Sequence, residues 1–327
     1  MKALNIAVWG VGHHAINRII PALLLMKNIK LVGICSRNEG TINQCINDFE
    51  CIGWNHPAEM LNWSGVDVIY IASPIGLHAE QAKLALLSGK HVWCEKPLTC
   101  NHSDTISLVN IAKKKELMLT EGFMFLYHPQ FKYLQKFVQE NQNSGIKSIV
   151  CRFGIPSLDK PGFRNDPNLC GGALWDVGSY TVAASLALFP DQNVKVVFSE
   201  IIKKHNNVDS EGRAILKFSK GASAYLEWGV GVSYKNELDI WANENSIFTD
   251  KIFSKPKNFH PIFYKRNITG KMIEVNGEES EQFQDMFMNY NDSFSSQRKI
   301  NIEYKEIVQR SKIMDEIIKV SKINEIY

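Results

Sequence analysis

Lys96 follows Glu95 at the end of an apolar run, His91-Val92-Trp93-Cys94, and Pro97 comes next. Two charges at the C-terminal end of a buried strand are costly to desolvate unless they are paired or face a ligand. In an open α/β sheet that end of the strand is also where ligands bind. A solvated loop after a strand would accommodate the same residues. Asp176 and Tyr180 form a second candidate pair. Four residues apart, they share one helix face, near the N-terminal end of an apolar helix that reaches about Leu188. The helix dipole alone would favour an acidic residue at 176, and a core tyrosine would sit equally well at 180.

The segments around these residues alternate. A strand, Leu4–Trp9, runs into Gly10-Val-Gly12-His13-His14-Ala15 and then into a helical pattern ending near Met26. Strand, glycine turn and helix together form a dinucleotide-binding pattern. Gly10 permits the tight turn, Gly12 lets the backbone approach a pyrophosphate, and Ala15 allows close helix–strand packing. The helix N-terminus offers free N–H groups to the phosphates. His13 and His14 then lie beside those phosphates, or stand as two exposed loop residues. The second strand, Lys30–Cys35, ends in Ser36-Arg37 without the acidic residue that binds a ribose 2′-hydroxyl; Glu39 lies further into the loop. A hydroxyl and a guanidinium suit a 2′-phosphate, so NADP(H) is favoured over NAD(H), with Arg37 as a plain surface residue the alternative.

The next strand, Asp67–Ala72, ends in Ser73-Pro74 against the expected cofactor and leads to a helix from about Leu77 to Leu87; His78 at its start counts with the cofactor residues. The His91–Cys94 strand, a helix over 103–115 and Leu117–Thr120 complete a parallel doubly wound sheet that ends near Gly122. Beyond it come a helix over 129–139, a strand at Ser148–Phe153 and an irregular segment, Gly154–Cys170. After the Gly171–Tyr180 stretch, strand-like runs at 194–202, 213–218, 222–228, 237–242 and 246–249 are joined by short turns. They predict a mostly antiparallel sheet in an α+β domain. Loops and short strands are expected over 255–282, and a final helix over about 303–321 with Ile307, Met314 and Ile318 on its apolar stripe.

The chain has 327 residues, 45% hydrophobic and 22% charged, with a net charge of +3 spread along it, so nothing in the charge suggests nucleic acid. Lys113–Lys115 suits the C-terminal end of a helix. Seven cysteines without paired spacing imply reduced thiols in the cytoplasm, with Cys35 and Cys94 as small core residues. No signal peptide or membrane span is expected, and no pattern calls for a metal.

Taken together, Gly10-x-Gly12-x-x-Ala15, Ser73-Pro74, Glu95-Lys96-Pro97, the 121–130 junction and Gly171-Gly172-x-x-x-Asp176-x-Gly178-x-Tyr180 resemble the glucose–fructose oxidoreductase/inositol dehydrogenase (Gfo/Idh/MocA) family over essentially the whole chain. Ile75, Leu126 and Cys170 depart from residues frequent there. The resemblance implies an NADP(H)-binding Rossmann domain at 1–122. It also implies an α+β substrate and oligomerisation domain at 123–327, whose open sheet makes homodimer or homotetramer contacts. Lys96, Asp176 and Tyr180 would meet at the nicotinamide, with Lys96 facing Tyr180. Tyrosine at 180 resembles the subgroup of sugar-nucleotide ketoreductases and dihydrodiol dehydrogenases.

Hydride transfer to a carbonyl leaves charge on oxygen, so the site needs a proton donor and a positive neighbour. Lys96 supplies the charge. Tyr180, ordinarily titrating near pH ~10, donates a proton more readily beside it. Either residue could be the donor. Asp176 would bind a substrate hydroxyl or orient its neighbours, and Glu95 would fix Lys96. The expected function is an NAD(P)-dependent oxidoreductase acting on a sugar or sugar nucleotide, as a keto-sugar reductase. The alternatives are a dihydrodiol or aldose dehydrogenase and, in another class, a non-catalytic nucleotide-binding regulator.

Overall fold

The structure, a computed structural model, describes residues 3–142, 145–203 and 207–325. The chain divides into two compact units, residues 1–122 with 283–311, and residues 123–282 with 312–327.

The first unit contains six parallel strands: β1 (Leu4–Trp9), β2 (Ile29–Cys35), β3 (Ile52–Trp54), β4 (Val68–Ile71), β5 (His91–Glu95) and β6 (Leu119–Gly122). Their order is β3-β2-β1-β4-β5-β6, the doubly wound arrangement whose switch point lies between β1 and β4. Ile6–Val8 and all of β4 are fully buried, as expected of central parallel strands covered on both faces. Helices α1 (Ile20–Leu24), α2 (Glu39–Phe49), α3 (Pro57–Asn62), α4 (His78–Leu87) and α5 (His102–Lys114) connect the strands. Sequence periodicity did not reveal α2, α3 or β3. Three residues are too few for a β pattern, and Glu39, read as a loop residue, opens α2 behind the Asn38 side-chain cap.

An aromatic helix missed in the sequence also belongs here. From α8 (Gln282–Ser293), Phe287 stacks on Trp93 with centroids 5.9 Å apart and Tyr290 lies 5.2 Å from the same ring. Phe294, just after α8, sits 4.6 Å from His91. The residues before Lys96 are thus buried by a segment some two hundred positions downstream.

The second unit holds β7 (Ile146–Ile155), β8 (Val194–Lys203), β9 (Asp209–Phe218), β10 (Ser223–Val230), β11 (Lys235–Ala242), β12 (Asn245–Asp250), β13 (Ile262–Asn267), β14 (Met272–Asn276) and β15 (Lys322–Glu325). Their order is β14-β13-β12-β11-β7-β10-β9-β8-β15. Among the described residues, the β7–β10 and β8–β15 pairs are parallel and the other pairs antiparallel, so the sheet is mixed and mostly antiparallel. α6 (Pro129–Glu140) precedes it, and α7 (Ser179–Leu188) packs on β7 and β10. α7 is buried on every side, which explains its uniformly apolar sequence. α9 (Gln297–Val320) buries Ile307, Met314 and Ile317, whereas Ile318, assigned to the stripe from its spacing, is 40% exposed. The stripe drifts by one residue at its C-terminal end.

Cys35, Cys45, Cys94 and Cys151 are free, buried thiols, and Cys51 is a free, half-buried one. Among the described residues, no helix is long and apolar enough to cross a membrane.

Candidate active site

In the first unit, Gly10 has φ +91°, and a β-carbon there would lie 2.5 Å from the Ser73 backbone nitrogen. The turn after β1 therefore presses on the end of β4, and only glycine fits. Gly12 has no other atom within 4 Å of its β-carbon position, leaving open space over the backbone that leads into the helix. A tight turn, an open glycine and unpaired N–H groups at a helix start fit a dinucleotide's phosphates. Ala15 is buried at the start of that helix, while His13 is exposed.

Glu95 is the centre of the strand-end cluster. Its Oε1 accepts a hydrogen bond from the Tyr70 hydroxyl at 2.6 Å and lies 3.3 Å from His14 Nε2. Burial opposes ionisation of Glu95, but His14, the Tyr70 hydroxyl and Lys96 outweigh it and hold the carboxyl below its ordinary range. Tyr70 was not recognised from sequence, because a tyrosine within an apolar strand reads as core. The Lys96–Pro97 peptide is cis. His78 is 1% exposed, with Nδ1 2.8 Å from the Pro97 carbonyl and Nε2 2.8 Å from the Ser73 carbonyl. Each ring nitrogen faces a backbone carbonyl, one in the loop after β4 and one in the loop after β5, and the neutral ring, which burial favours, donates to one of them. Ser73 Oγ donates to Gln81 at 2.5 Å. After β2, Ser36 accepts a hydrogen bond from the Asn38 N–H at 3.2 Å, and Arg37 is exposed.

In the second unit, Asp176 lies in a π-helical segment, Leu174–Gly178, that continues into α7. Its carboxylate receives Arg164 Nε at 2.6 Å and, more weakly, Nη2 at 3.5 Å. Arg164 comes from the irregular 154–170 segment, where no local pattern marked it. Tyr180 is 7% exposed, its ring within 6 Å of Phe123, Phe125, Phe153 and Phe253, and its hydroxyl 3.8 Å from Met124 Sδ. A cavity of about 320 Å³ in this unit is lined by Leu158, Arg164, Asn165, Asp209 and Ser210, among others.

Asp209 anchors the Gly171-Gly172 turn. It accepts the Leu174 N–H at 2.6 Å, and a β-carbon on Gly172 (φ +117°) would overlap its Oδ1. Burial pushes its carboxyl up to about 6, although the Leu174 hydrogen bond pulls the other way. The folded state therefore keeps a proton that the unfolded chain releases above its ordinary 3.8, and stability falls as pH rises between these two values. Asp209→Asn is expected to melt about 3–8 °C above the parent at pH ~8, with the gain vanishing near pH ~4. Equal gains at both pH values in a thermal melt would refute this assignment.

A doubly wound dinucleotide-binding unit, joined to a unit with a mixed open sheet, defines a nicotinamide-dependent oxidoreductase class. Residues 4–123 match the Gfo/Idh/MocA oxidoreductase family with an NAD-binding Rossmann fold, and residues 131–248 match its C-terminal domain; the chain belongs to this family. It is 29% identical over 261 residues to a dTDP-3,4-didehydro-2,6-dideoxy-α-D-glucose 3-reductase of Saccharopolyspora spinosa, covering 80% of this chain and 79% of that one. It is 27% identical to a D-xylose 1-dehydrogenase (NADP⁺) of Haloferax volcanii over 67% of each chain. In fold it matches a 3-ketoreductase from Actinomadura kijaniata solved with NADP and TDP-benzene, with a TM-score of 0.93, 24% identity and full coverage of both chains.

Proposed function

We propose that this enzyme uses NADPH to reduce the keto group of a nucleotide-linked sugar. The observation that carries the reading is Lys96 beside an ionised, doubly contacted Glu95 at the end of β5, in a chain whose relatives include dTDP-keto-sugar 3-reductases. The first unit takes the cofactor, through the Gly10–Ala15 turn, Ser73, Pro74 and the loop after β2. Arg37 and Ser36 there suit a 2′-phosphate, because the nearest acid, Glu39, is built into α2. The second unit takes the sugar.

Bound NADPH supplies the hydride. As negative charge builds on the carbonyl oxygen, the Lys96 ammonium stabilises it, and either Tyr180 or Lys96 delivers the proton. Glu95, fixed by Tyr70 and His14, holds the backbone and charge next to Lys96. Asp176, oriented by Arg164, engages a sugar hydroxyl. Conversion of dTDP-3,4-didehydro-2,6-dideoxy-α-D-glucose, read as loss of NADPH absorbance, tests the assignment, with NADH as the comparison. No loss of absorbance would sink it. Turnover only of NADP⁺ with aldoses or dihydrodiols would place the enzyme in the oxidative branch. NADPH binding without turnover of any of these would mark a regulator.

The exposed Tyr225 and Trp241 on the nine-stranded sheet, 43% and 61% accessible, suit contact with a second copy of the chain. We expect a dimer or tetramer in sedimentation; a monomer at assay concentration would refute that expectation.

A further inference from the structure

Glu121 and Arg310 form a buried charge cluster that the proposed chemistry leaves unused. Glu121 lies on β6, paired in register with Cys94 of β5, and is 5% exposed. Its Oε2 receives Arg310 Nε at 2.6 Å, while its Oε1 accepts the Leu98 N–H at 2.8 Å. Arg310, from α9, is equally buried and also reaches Glu303 at 3.2 Å and Glu306 at 3.4 Å. The Glu121 carbonyl accepts the Tyr290 hydroxyl at 2.8 Å. Three carboxylates surround one guanidinium, with Glu121 buried and Glu306 38% exposed. Burial pushes Glu303 up to about 7 even though Arg310 opposes it. Such a cluster is weak as a source of stability.

Its geometry gives it another use. Leu98 stands two residues after Lys96, and the intervening Pro97 carbonyl faces His78 Nδ1. The turn that carries Lys96 is thus contacted at two successive backbone groups, one of them gripped by Glu121. Without Arg310, the Glu121 carboxylate would lose the Nε donor that orients it, and its grip on the Leu98 N–H would loosen.

We propose that Glu121 and Arg310 are positioning residues for Lys96, acting through the Leu98 N–H. The proposal rests on the catalytic role assigned to Lys96 above. Hydrogen exchange of the peptide spanning 96–98 tests the clamp without substrate, and NADPH turnover with the keto-sugar nucleotide tests its consequence. Arg310→Met is expected to speed exchange there and to lower kcat about tenfold with KM for NADPH within about threefold, because misplacing a transition-state group costs kcat. Arg310→Lys keeps the charge and should recover most of that loss. Glu121→Gln should lower kcat in the same direction, and the double variant should be no worse than Arg310→Met alone, as expected for residues acting as one unit. Tyr304→Phe is the structural control. It removes a hydrogen bond from α9 to the Leu117 carbonyl next to β6, so it should lower the melting temperature without changing kcat or exchange at 96–98.

Unchanged exchange and kcat in Arg310→Met overturn the proposal, as does a loss of kcat in Tyr304→Phe that tracks its melting temperature. Should Arg310→Met fail to fold, Glu121→Gln and Arg310→Lys decide by the same two measurements. Faster exchange in these variants, with Lys96→Met still fully active, would retain the clamp and refute the role of Lys96.

Discussion

Lys96→Met is expected to lower kcat about 10²–10⁴-fold and to leave NADPH affinity within about threefold. The methionine stem keeps most of the packing volume and deletes only the charge and its donors. The carbonyl oxygen then acquires its negative charge without a cation beside it, a loss confined to the transition state, so it falls on kcat rather than KM. Tyr180→Phe is the informative companion. The ring is held by four phenylalanines, and replacing tyrosine by phenylalanine keeps that packing, so the variant should fold normally. A loss comparable to that of Lys96→Met, with a changed alkaline limb in the pH–rate profile, would identify Tyr180 as the proton donor. A loss below about tenfold would assign that proton to Lys96. Wild-type turnover by Lys96→Met would remove Lys96 from the reaction altogether.

The two glycines of the first turn should respond in opposite ways. Gly10→Ala forces a β-carbon to 2.5 Å from the Ser73 nitrogen and 2.7 Å from its Cα, at a φ of +91° that alanine rarely adopts. The obstacle is backbone at the end of β4, and β4 is locked to β1 along its length. Strain and overpacking together are expected to cost about 2–5 kcal/mol, seen as a melting temperature lower by about 5–15 °C or as loss of soluble protein. Gly12→Ala meets no atom within 4 Å, so its thermal stability should match the parent. Its methyl group instead occupies space that a pyrophosphate would need, weakening NADPH binding about tenfold or more. Calorimetry and NADPH titration of both variants give the answer. A stable Gly10→Ala protein, or a Gly12→Ala protein that binds NADPH normally, would show that the turn is misread.

Local patterns were enough to recognise the strand–turn–helix at 4–26, the strand ends at Ser73 and Glu95, and the Gly171–Tyr180 segment. Each depends on neighbours within one turn or one strand: a glycine where φ is positive, an apolar run bounded by charge, or a four-residue helical spacing. The order of these motifs along the chain identified the family before any coordinates, and the two matched segments agree with it. The short β3 and the helices α2, α3 and α8 lacked such signals, because their burial is set by partners far along the chain.

The opening pair, Glu95 and Lys96, was visible in the sequence as a charge pair in search of partners. Only the tertiary structure decided what surrounds it. Tyr70 and His14 converge on the Glu95 carboxylate, His78 and Glu121 meet the two backbone groups that follow Lys96, and Arg310 reaches Glu121 across 189 positions of sequence. Arg164 on Asp176 and Asp209 on the Leu174 N–H belong to the same kind. Which cation meets a given buried carboxylate depends on how helices and strands pack. A backbone period of two or 3.6 residues carries information about the face a residue occupies, and none about the side chain that will lie opposite.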